Sequence, residues 1–365
     1  MSFLKRTFGK LGGRLRALLG SKQTAFAKSR RPVGFQEYTG FGSNPGNARM
    51  FAHIPQKLNS KPALVVALHG CAQSAAIYDR GSGWSNLAEE LGFVVVCPEQ
   101  QRTNNPQGCF SWFVPGDIER DRGEVLSIRQ MVDFAVRKFG ADDRRVFVTG
   151  LSAGGAMASA MLATYPEVFS GGAIIAGLPY GCASTVEEAF AAMFGTRTVA
   201  GRALGDRVRA ASKHRGTWPK ISVWHGTADC IVKPINADDI VRQWSEVHGL
   251  PETPTYQQVV RQHLRRVWEN AAGEAVIESY TISGVGHGVP IAIAGEESCG
   301  TLAPFFVSAG ISSTRRIAEF WGLSKAKSTV PRPSNATRPS QNLETSQPIP
   351  AAALVANPTL ESEPR

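Results

Sequence analysis

The sequence predicts an α/β fold, with a mostly parallel, twisted sheet and helices on both of its faces. Two patterns favour this class. Short, almost wholly apolar runs recur along the chain, as expected of strands that are covered on both sides, and segments with apolar residues three and four positions apart separate them. Neighbouring parallel strands need a crossover, usually a helix, so this alternation indicates a parallel sheet. With 365 residues, 42% of them hydrophobic, the chain can bury one large core or two modest ones.

The apolar runs that are predicted as strands span residues 63–70, 92–99, 144–150, 171–177, 220–229 and 274–287. Helices are predicted between them, over 84–92, 122–140 and 154–166. In open sheets of this kind, the chemistry lies at the carboxyl ends of the strands. The residues that follow each strand are therefore the first candidates for a functional site.

The clearest local motif is the pentapeptide Gly150-Leu151-Ser152-Ala153-Gly154, which has the pattern G-x-S-x-G. It joins the predicted strand 144–150 to the predicted helix 154–166, as a nucleophile elbow does. Glycines at its ends remove the Cβ atoms that would collide where strand and helix nearly touch. Small residues also serve simple packing turns, but a strand before the serine and a helix after it favour Ser152 as a nucleophile.

Two more strand ends carry the groups that a nucleophilic serine needs. Asp229 ends one predicted strand and His287 ends another, so the order is Ser, Asp, His, with separations of 77 and 58 residues. This is the chain order of α/β-hydrolase triads. The imidazole takes the proton of the hydroxyl, and the carboxylate holds the imidazole in one tautomer. Asp238 and Asp239, on the segment that follows, are the competing candidates for the acid.

The other histidines are assigned to structural roles. His69 and His225 also lie at strand ends, where we expect them to form hydrogen bonds beneath the site. Four more lack such a setting and are predicted to be surface or hydrogen-bonded structural residues: His53, His214, His248 and His263.

Acyl transfer also requires hydrogen-bond donors for the oxyanion that develops on the carbonyl oxygen. The backbone N–H of Ala153, directly after the serine, is the first candidate. The second donor in such enzymes comes from the loop after an earlier strand. That loop here reads His69-Gly70-Cys71-Ala72-Gln73, which makes the N–H of Cys71 the second candidate.

A loop rich in aromatic residues, 108–117, lies between a predicted strand and a predicted helix, near the expected site. Phe110 and Trp112 in this loop are candidate contacts for an apolar polyester or an aryl acid. The alternative is that these rings fill the core under the loop, which is the commoner position of Trp and Phe.

Seven motifs in this order resemble the polyhydroxybutyrate (polyhydroxyalkanoate) depolymerase family of esterases: LHGCAQSA, GCFSWF, RGEVLSIRQMVD, TGLSAGGAMA, GLPYGCA, HGTADCIVKP and GVGHGVP. The segment 300–323 is similar to the end of that family's catalytic domain. The resemblance implies an α/β-hydrolase fold and hydrolysis of poly(3-hydroxyalkanoate) or its oligomers through an acyl-enzyme. It further implies Ser152, Asp229 and His287 as catalytic residues, Cys71 and Ala153 as oxyanion donors, and no metal or cofactor.

Other functions remain open within and outside this superfamily. Feruloyl and acetylxylan esterases and short-chain carboxylesterases are the alternatives of the same class. A non-catalytic protein that coats a granule or membrane surface is the alternative of another class. The complete set of triad and oxyanion residues favours a serine esterase that acts on a polyester or a small ester.

The net charge of +10 is concentrated at the N-terminus, because residues 1–31 contain nine basic residues and no acidic one, which leaves +1 for the rest. This distribution argues against nucleic acid as a partner. Apolar residues at positions 4, 8, 11, 15 and 18 predict a basic amphipathic helix that binds a granule or an anionic membrane surface. A solvated arm or a cleaved targeting segment is the alternative.

The sequence thus divides into a basic arm (1–32), a catalytic domain (33–323) and a Pro/Ser/Thr-rich tail (324–365) that is predicted to be disordered. No window approaches the length of a transmembrane helix. The resemblance implies an extracellular enzyme, but the arm lacks the uninterrupted apolar region of a signal peptide. A cytoplasmic or granule-associated location therefore stays open.

The six cysteines lack the spacing of a zinc site. Cys97 lies within an apolar strand and is expected to be a buried thiol. Cys71–Cys109 and Cys230–Cys299 are candidate disulfides, which would indicate an oxidising compartment. Sequence alone does not fix the pairing.

Overall fold

A computed structural model describes residues 34–196 and 199–324. The predicted arm 1–32 and all of the predicted tail except its first residue lie outside these described residues. Within the described part of the chain, no helix combines the length and apolarity that crossing a membrane requires.

A ten-stranded sheet forms the centre of the fold, in the order β1-β2-β4-β3-β5-β6-β7-β10-β9-β8. Its strands are β1 (Phe35–Tyr38), β2 (Arg49–His53), β3 (Leu64–Leu68), β4 (Val94–Glu99), β5 (Val146–Leu151), β6 (Gly171–Ile175), β7 (Lys220–Gly226), β8 (Tyr256–Val260), β9 (His263–Glu269) and β10 (Ala275–Ile282). The middle of this order, β4-β3-β5-β6-β7-β10, consists of parallel neighbours. The flanking strands pair antiparallel. A separate pair of parallel strands, β11 (Val289–Ile291) and β12 (Phe306–Ser308), follows.

Helices connect the parallel strands. They are α1 (Ala75–Ser82), α2 (Trp84–Leu91), α3 (Pro115–Ile118), α4 (Gly123–Phe139), α5 (Ala153–Thr164), α6 (Val186–Met193), α7 (Gly201–Ala210), α8 (Ile235–His248) and α9 (Ser313–Phe320). The predicted helices over 84–92, 122–140 and 154–166 correspond to α2, α4 and α5.

Buried side chains form one large cluster on each face of the sheet. The central strands β3 and β5 are therefore buried along their whole length. One cluster contains buried residues of α4, α5 and α8, and the other contains those of α1, α2 and α9. In the second cluster, the Trp321 ring stacks on Phe147 and on Trp84, with centroids 4.8 and 5.7 Å away. The prediction of a mostly parallel sheet with helices on both faces is confirmed.

Candidate active site

Ser152 occupies the sharp turn between β5 and α5. Its backbone has φ 57° and ψ −118°, outside both helix and strand, and a positive φ is uncommon for a residue with a side chain. The turn is possible because its glycines leave room: a Cβ on Gly154 would lie 2.3 Å from the Leu68 carbonyl oxygen. A Cβ on Gly150 would lie 2.3 Å from Gly154 backbone atoms. The local geometry therefore has the strained strand-to-helix form of a nucleophile elbow.

Asp229 and His287 come from two loops that follow the adjacent strands β7 and β10. The Nδ1 atom of His287 lies 2.7 Å from Oδ2 of Asp229. A carboxylate only accepts hydrogen bonds, so this nitrogen carries the proton. In the neutral ring, Nε2 of His287 is then left as the acceptor. This is the tautomer that a general base for a hydroxyl requires.

The Asp229 carboxylate is held by four donors, although it is buried. Its Oδ1 accepts from the backbone N–H groups of Ile231 and Val232, both at 2.9 Å. Its Oδ2 lies 3.2 Å from Nε2 of His225, in addition to the contact with His287. Burial alone would raise the pKa of Asp229, but the hydrogen bonds from His225 and His287 outweigh it and hold the pKa well below its usual range. The group is therefore a stable carboxylate.

The competing acids, Asp238 and Asp239, lie on α8 and are engaged elsewhere. Asp238 forms an ion pair with Arg266 at 2.9 Å, and Asp239 forms one with Arg242. Neither is the acid that the structure places beside His287.

Ser152 and His287 open into one small cavity of about 50 Å³, which we call the catalytic cavity. Gly70, Cys71 and Gln73 of the loop after β3 line it as well. The structure therefore brings together the serine, the Asp–His pair and the predicted oxyanion loop, which are far apart in the sequence.

The two candidate oxyanion donors lie on neighbouring strand ends, since β3 and β5 pair in parallel with Leu68 opposite Gly150. Ala153 is the first residue of α5, so its N–H has no acceptor in a preceding helical turn. The loop that carries Cys71 is tied to residues 107–109 twice. Cys71 forms a disulfide with Cys109, and the Ala72 N–H donates to the Gln107 carbonyl at 2.8 Å.

His69 supports this loop from below. It is buried, its Nδ1 lies 2.8 Å from the Gly70 carbonyl oxygen, and its Nε2 accepts from the Gln100 N–H at 3.0 Å. Burial lowers the pKa of His69, so the ring is neutral. His225 likewise donates from Nε2 to the Val232 carbonyl at 2.8 Å. The predicted roles of these two histidines are confirmed.

The remaining histidines also have structural partners, as predicted. Their ring nitrogens contact Glu89 (from His53) and the carbonyls of Thr217, Pro219 and Ala309 (from His214, His248 and His263).

The aromatic loop differs from the expectation at Phe110. Phe110 is only 1% exposed, packs against the His69 ring with centroids 4.9 Å apart and belongs to the core. Its expected role as a substrate contact does not fit this position, and the alternative of a core ring holds. Trp112 is 8% exposed and belongs to a small apolar cluster with Ala153, against which the Cys71–Cys109 pair packs.

The cysteines also differ in part from expectation. The candidate disulfide Cys71–Cys109 is formed, whereas the candidate Cys230–Cys299 is not, and both are free thiols. Cys230 is exposed beside Asp229, while Cys299 is buried with its Sγ 3.4 Å from the Ser312 hydroxyl, so the two side chains lie in different environments. Cys97 is the buried thiol that its strand predicts, and burial raises its pKa.

Sequence reasoning missed a polar network behind the oxyanion loop. The Gln73 side chain accepts from the Gly70 N–H through Oε1 at 2.9 Å. Glu124, buried on α4, accepts from the Ser111 N–H at 2.8 Å and from the Gln100 side chain. A charged residue on the buried face of a predicted helix was the available signal for Glu124. Nothing in the sequence marked Gln100.

Comparison with known proteins supports one family. Residues 52–260 match the family model described as Esterase PHB depolymerase. The chain is 44% identical over 289 residues to poly(3-hydroxyalkanoate) depolymerase C of Paucimonas lemoignei, which covers 79% of this chain and 70% of the relative. It is 34% identical over 284 residues to feruloyl esterase B of Neurospora crassa, at 75% and 94% coverage.

A solved structure extends this similarity to the fold. The acetyl xylan esterase from Aspergillus awamori superposes with a TM-score of 0.68 at 26% identity, over 80% of this chain and 99% of that one. The chain therefore belongs to the esterase PHB depolymerase family and is an ester hydrolase with the α/β-hydrolase fold.

Proposed function

We propose that this protein hydrolyses the ester bonds of poly(3-hydroxyalkanoate) or its oligomers through an acyl-enzyme on Ser152. The observation that carries the proposal is the 2.7 Å hydrogen bond between Asp229 and His287, together with the cavity that His287 and Ser152 both line. The choice of acyl group is supported by the 44% identity to a poly(3-hydroxyalkanoate) depolymerase.

The site residues act in sequence in this mechanism. The Ser152 hydroxyl attacks the ester carbonyl while Nε2 of His287 takes its proton. The backbone N–H groups of Cys71 and Ala153 stabilise the oxyanion. The imidazolium, held by Asp229, then protonates the departing alcohol. Water, activated by His287 in the same way, hydrolyses the acyl-enzyme and restores the serine. Trp112 contacts the substrate beside the Ala153 donor.

We further infer that the chain functions as three segments. Residues 33–323 hold the whole catalytic apparatus, and residues 1–32 bind the enzyme to a granule or an anionic membrane surface. Residues 324–365 carry none of the proposed site residues. The concentration of basic residues before position 32 supports the role of the arm.

A second candidate is hydrolysis of feruloyl or acetyl esters of plant polysaccharide. It is favoured by the 34% identity to a feruloyl esterase and by the superposition on an acetyl xylan esterase. The mechanism is unchanged, and only the acyl and alcohol groups differ.

A substrate panel separates the candidates. The full chain is assayed on p-nitrophenyl butyrate, 3-hydroxybutyrate oligomers, amorphous and crystalline polymer, methyl ferulate and acetylated xylan. The proposal expects the highest kcat/KM on the oligomers or the amorphous polymer. Preferential turnover of methyl ferulate or acetylated xylan would replace it by the second candidate. The Ser152→Ala variant is the control for each substrate.

A further inference from the structure

A larger cavity adjoins the catalytic cavity. Its volume is about 460 Å³, within the range of small-molecule sites, and we call it the polar chamber. The two cavities share Gln73 and Phe305 as lining residues, so they are neighbours in one cleft. Ala72, which follows the Cys71 donor, also lines the chamber. Part of a substrate that is bound at Ser152 therefore has room to extend past the oxyanion loop.

The charges of the chamber leave one cation available. Arg49 donates to Glu37 at 2.7 Å and to Glu99 at 2.8 Å, so two carboxylates already engage its guanidinium. Arg102 also lines the chamber, and its guanidinium donates to the Pro106 carbonyl at 3.3 Å. Among residues 34–196 and 199–324, no carboxylate pairs with it. Its guanidinium therefore has donors left for an anion, and this group favours planar carboxylates.

A neutral donor lies between the two cavities. Gln73 uses Oε1 to accept from the Gly70 N–H, and its Nε2 is buried with no partner in the described structure. A buried donor without an acceptor is costly, and a ligand that supplies an acceptor removes this cost. A carbonyl oxygen of the substrate, placed between the cavities, is such an acceptor.

Ester chemistry indicates which end of a substrate reaches Arg102. In an oligomer of hydroxyacids, the free carboxylate belongs to the last hydroxyacid, whose hydroxyl forms the ester. It is therefore on the leaving-alcohol side of every scissile bond. Hydrolysis adds water across that bond and releases a hydroxyacid whose carboxylate was already present.

We propose that the polar chamber is a leaving-group subsite, in which Arg102 binds the free carboxylate of a short hydroxyacid oligomer. Gln73 donates to a carbonyl oxygen of the oligomer that lies between the catalytic cavity and the polar chamber. This subsite rests on the proposed function, whose substrate class it refines. It favours cleavage near the carboxylate end of soluble oligomers.

The test compares matched substrates that differ only in charge. The dimer, trimer and tetramer of 3-hydroxybutyrate are used as free acids and as methyl esters, with the full-length wild type and Arg102→Gln. For the length whose carboxylate reaches the chamber, wild type should have a KM about tenfold lower for the acid, or about 1.4 kcal/mol. Arg102→Gln should remove this preference and leave p-nitrophenyl butyrate turnover unchanged. Arg144→Gln, an exposed arginine before β5, is the matched control and should keep the preference.

Two results would overturn the subsite: an acid-to-ester KM ratio that Arg102→Gln leaves unchanged at all three lengths, or an equal loss in Arg144→Gln. Failure of the proposed function is distinguishable. If wild type turns over p-nitrophenyl butyrate but neither the oligomers nor the polymer, polyester hydrolysis is excluded, and the subsite is then tested by inhibition. The acids should inhibit wild type more strongly than Arg102→Gln, and equal inhibition constants reject the subsite.

Discussion

His225 and His287 approach the same carboxylate oxygen, Oδ2 of Asp229, at 3.2 and 2.7 Å. The nearer ring is the proposed base, and the farther ring is fixed by its bond to the Val232 carbonyl. His225 thus contacts the same carboxylate oxygen as the base, and the two contacts together limit the rotation of the carboxylate away from His287.

The first prediction concerns this acid. Asp229→Asn should keep the fold but lower kcat by about four orders of magnitude, because an amide stabilises the wrong tautomer of the imidazole. The measurement is kcat on p-nitrophenyl butyrate with circular dichroism of both proteins. Asp238→Asn is the control and should retain near wild-type turnover. A large loss in the control alone would move the acid to α8.

The second prediction concerns the nucleophile. Ser152→Ala should abolish labelling by a fluorophosphonate probe and remove nearly all turnover, because the triad residues act as a unit. Mass spectrometry of the labelled protein identifies the modified peptide. Ser170→Ala, at an exposed serine before β6, should label like wild type. Stoichiometric labelling of Ser152→Ala would contradict the assignment.

The third prediction concerns pH and stability. Burial, the largest cause, raises the pKa of Glu124 to about 7, although Ser111 and Gln100 donate to it. Between about pH 4.5, the ordinary pKa of Glu, and about pH 7, the carboxyl of Glu124 is therefore protonated in the folded state and ionised in the unfolded state. The free energy of unfolding should fall as pH rises through this window, by at most about 3–4 kcal/mol.

Urea unfolding at several pH values measures this slope, and Glu124→Gln should flatten it. The variant also loses stability at every pH, because its amide faces hydrogen-bond donors. The test is therefore the slope of the unfolding free energy against pH, and not its absolute value. An unchanged slope in Glu124→Gln would assign the pH dependence to another group.

The fourth prediction concerns the disulfide. The Cys71–Cys109 bond closes a loop of 38 residues, and its removal should cost about 3–4 kcal/mol of unfolding free energy. The Cys71→Ser/Cys109→Ser double variant should also lower kcat more than it raises KM, because the backbone donor at position 71 loses a tether. Thermal unfolding and kinetics measure both effects. Cys230→Ser, at an exposed free thiol, is the control and should change neither.

The fifth prediction concerns the basic arm. A chain that starts at Arg31 should hydrolyse p-nitrophenyl butyrate with unchanged kcat/KM, because the triad lies in the domain that follows. It should bind anionic vesicles more weakly, and the difference should shrink at high salt as charges are screened. Vesicle co-sedimentation at two salt concentrations measures this. Equal binding by both chains at low salt would remove the proposed role.

The central strands were predictable from sequence, and the edge strands were not. β3 and β5 are buried on both faces and appear as continuous apolar runs. β8 alternates between half-buried and exposed residues, with Val259 74% exposed, so its sequence does not stand out from a loop. β1 and β2 are short and pair antiparallel at the other edge.

The site was predictable where one strand end supplies one residue, as for Ser152, Asp229 and His287. Features that depend on which loops meet in space were not. Phe110 is buried against His69, which is distant in sequence. Cys230 and Cys299 remain unpaired thiols, the first exposed and the second buried. The acceptor for the Gly70 N–H is a side chain, Gln73, whose rotamer no pattern specifies.

The contact of Gly154 with the Leu68 carbonyl limits the substitutions that the site tolerates. Leu68 ends β3 and leads into the loop of the Cys71 donor, while Gly154 follows the Ala153 donor directly. The separation of the two donors is thus fixed by two main chains in direct contact, with no side chain between them. A single methyl group at position 154 would push α5 and β3 apart and widen the gap that an oxyanion must bridge. Activity would then fall even though every group that performs the chemistry is still present.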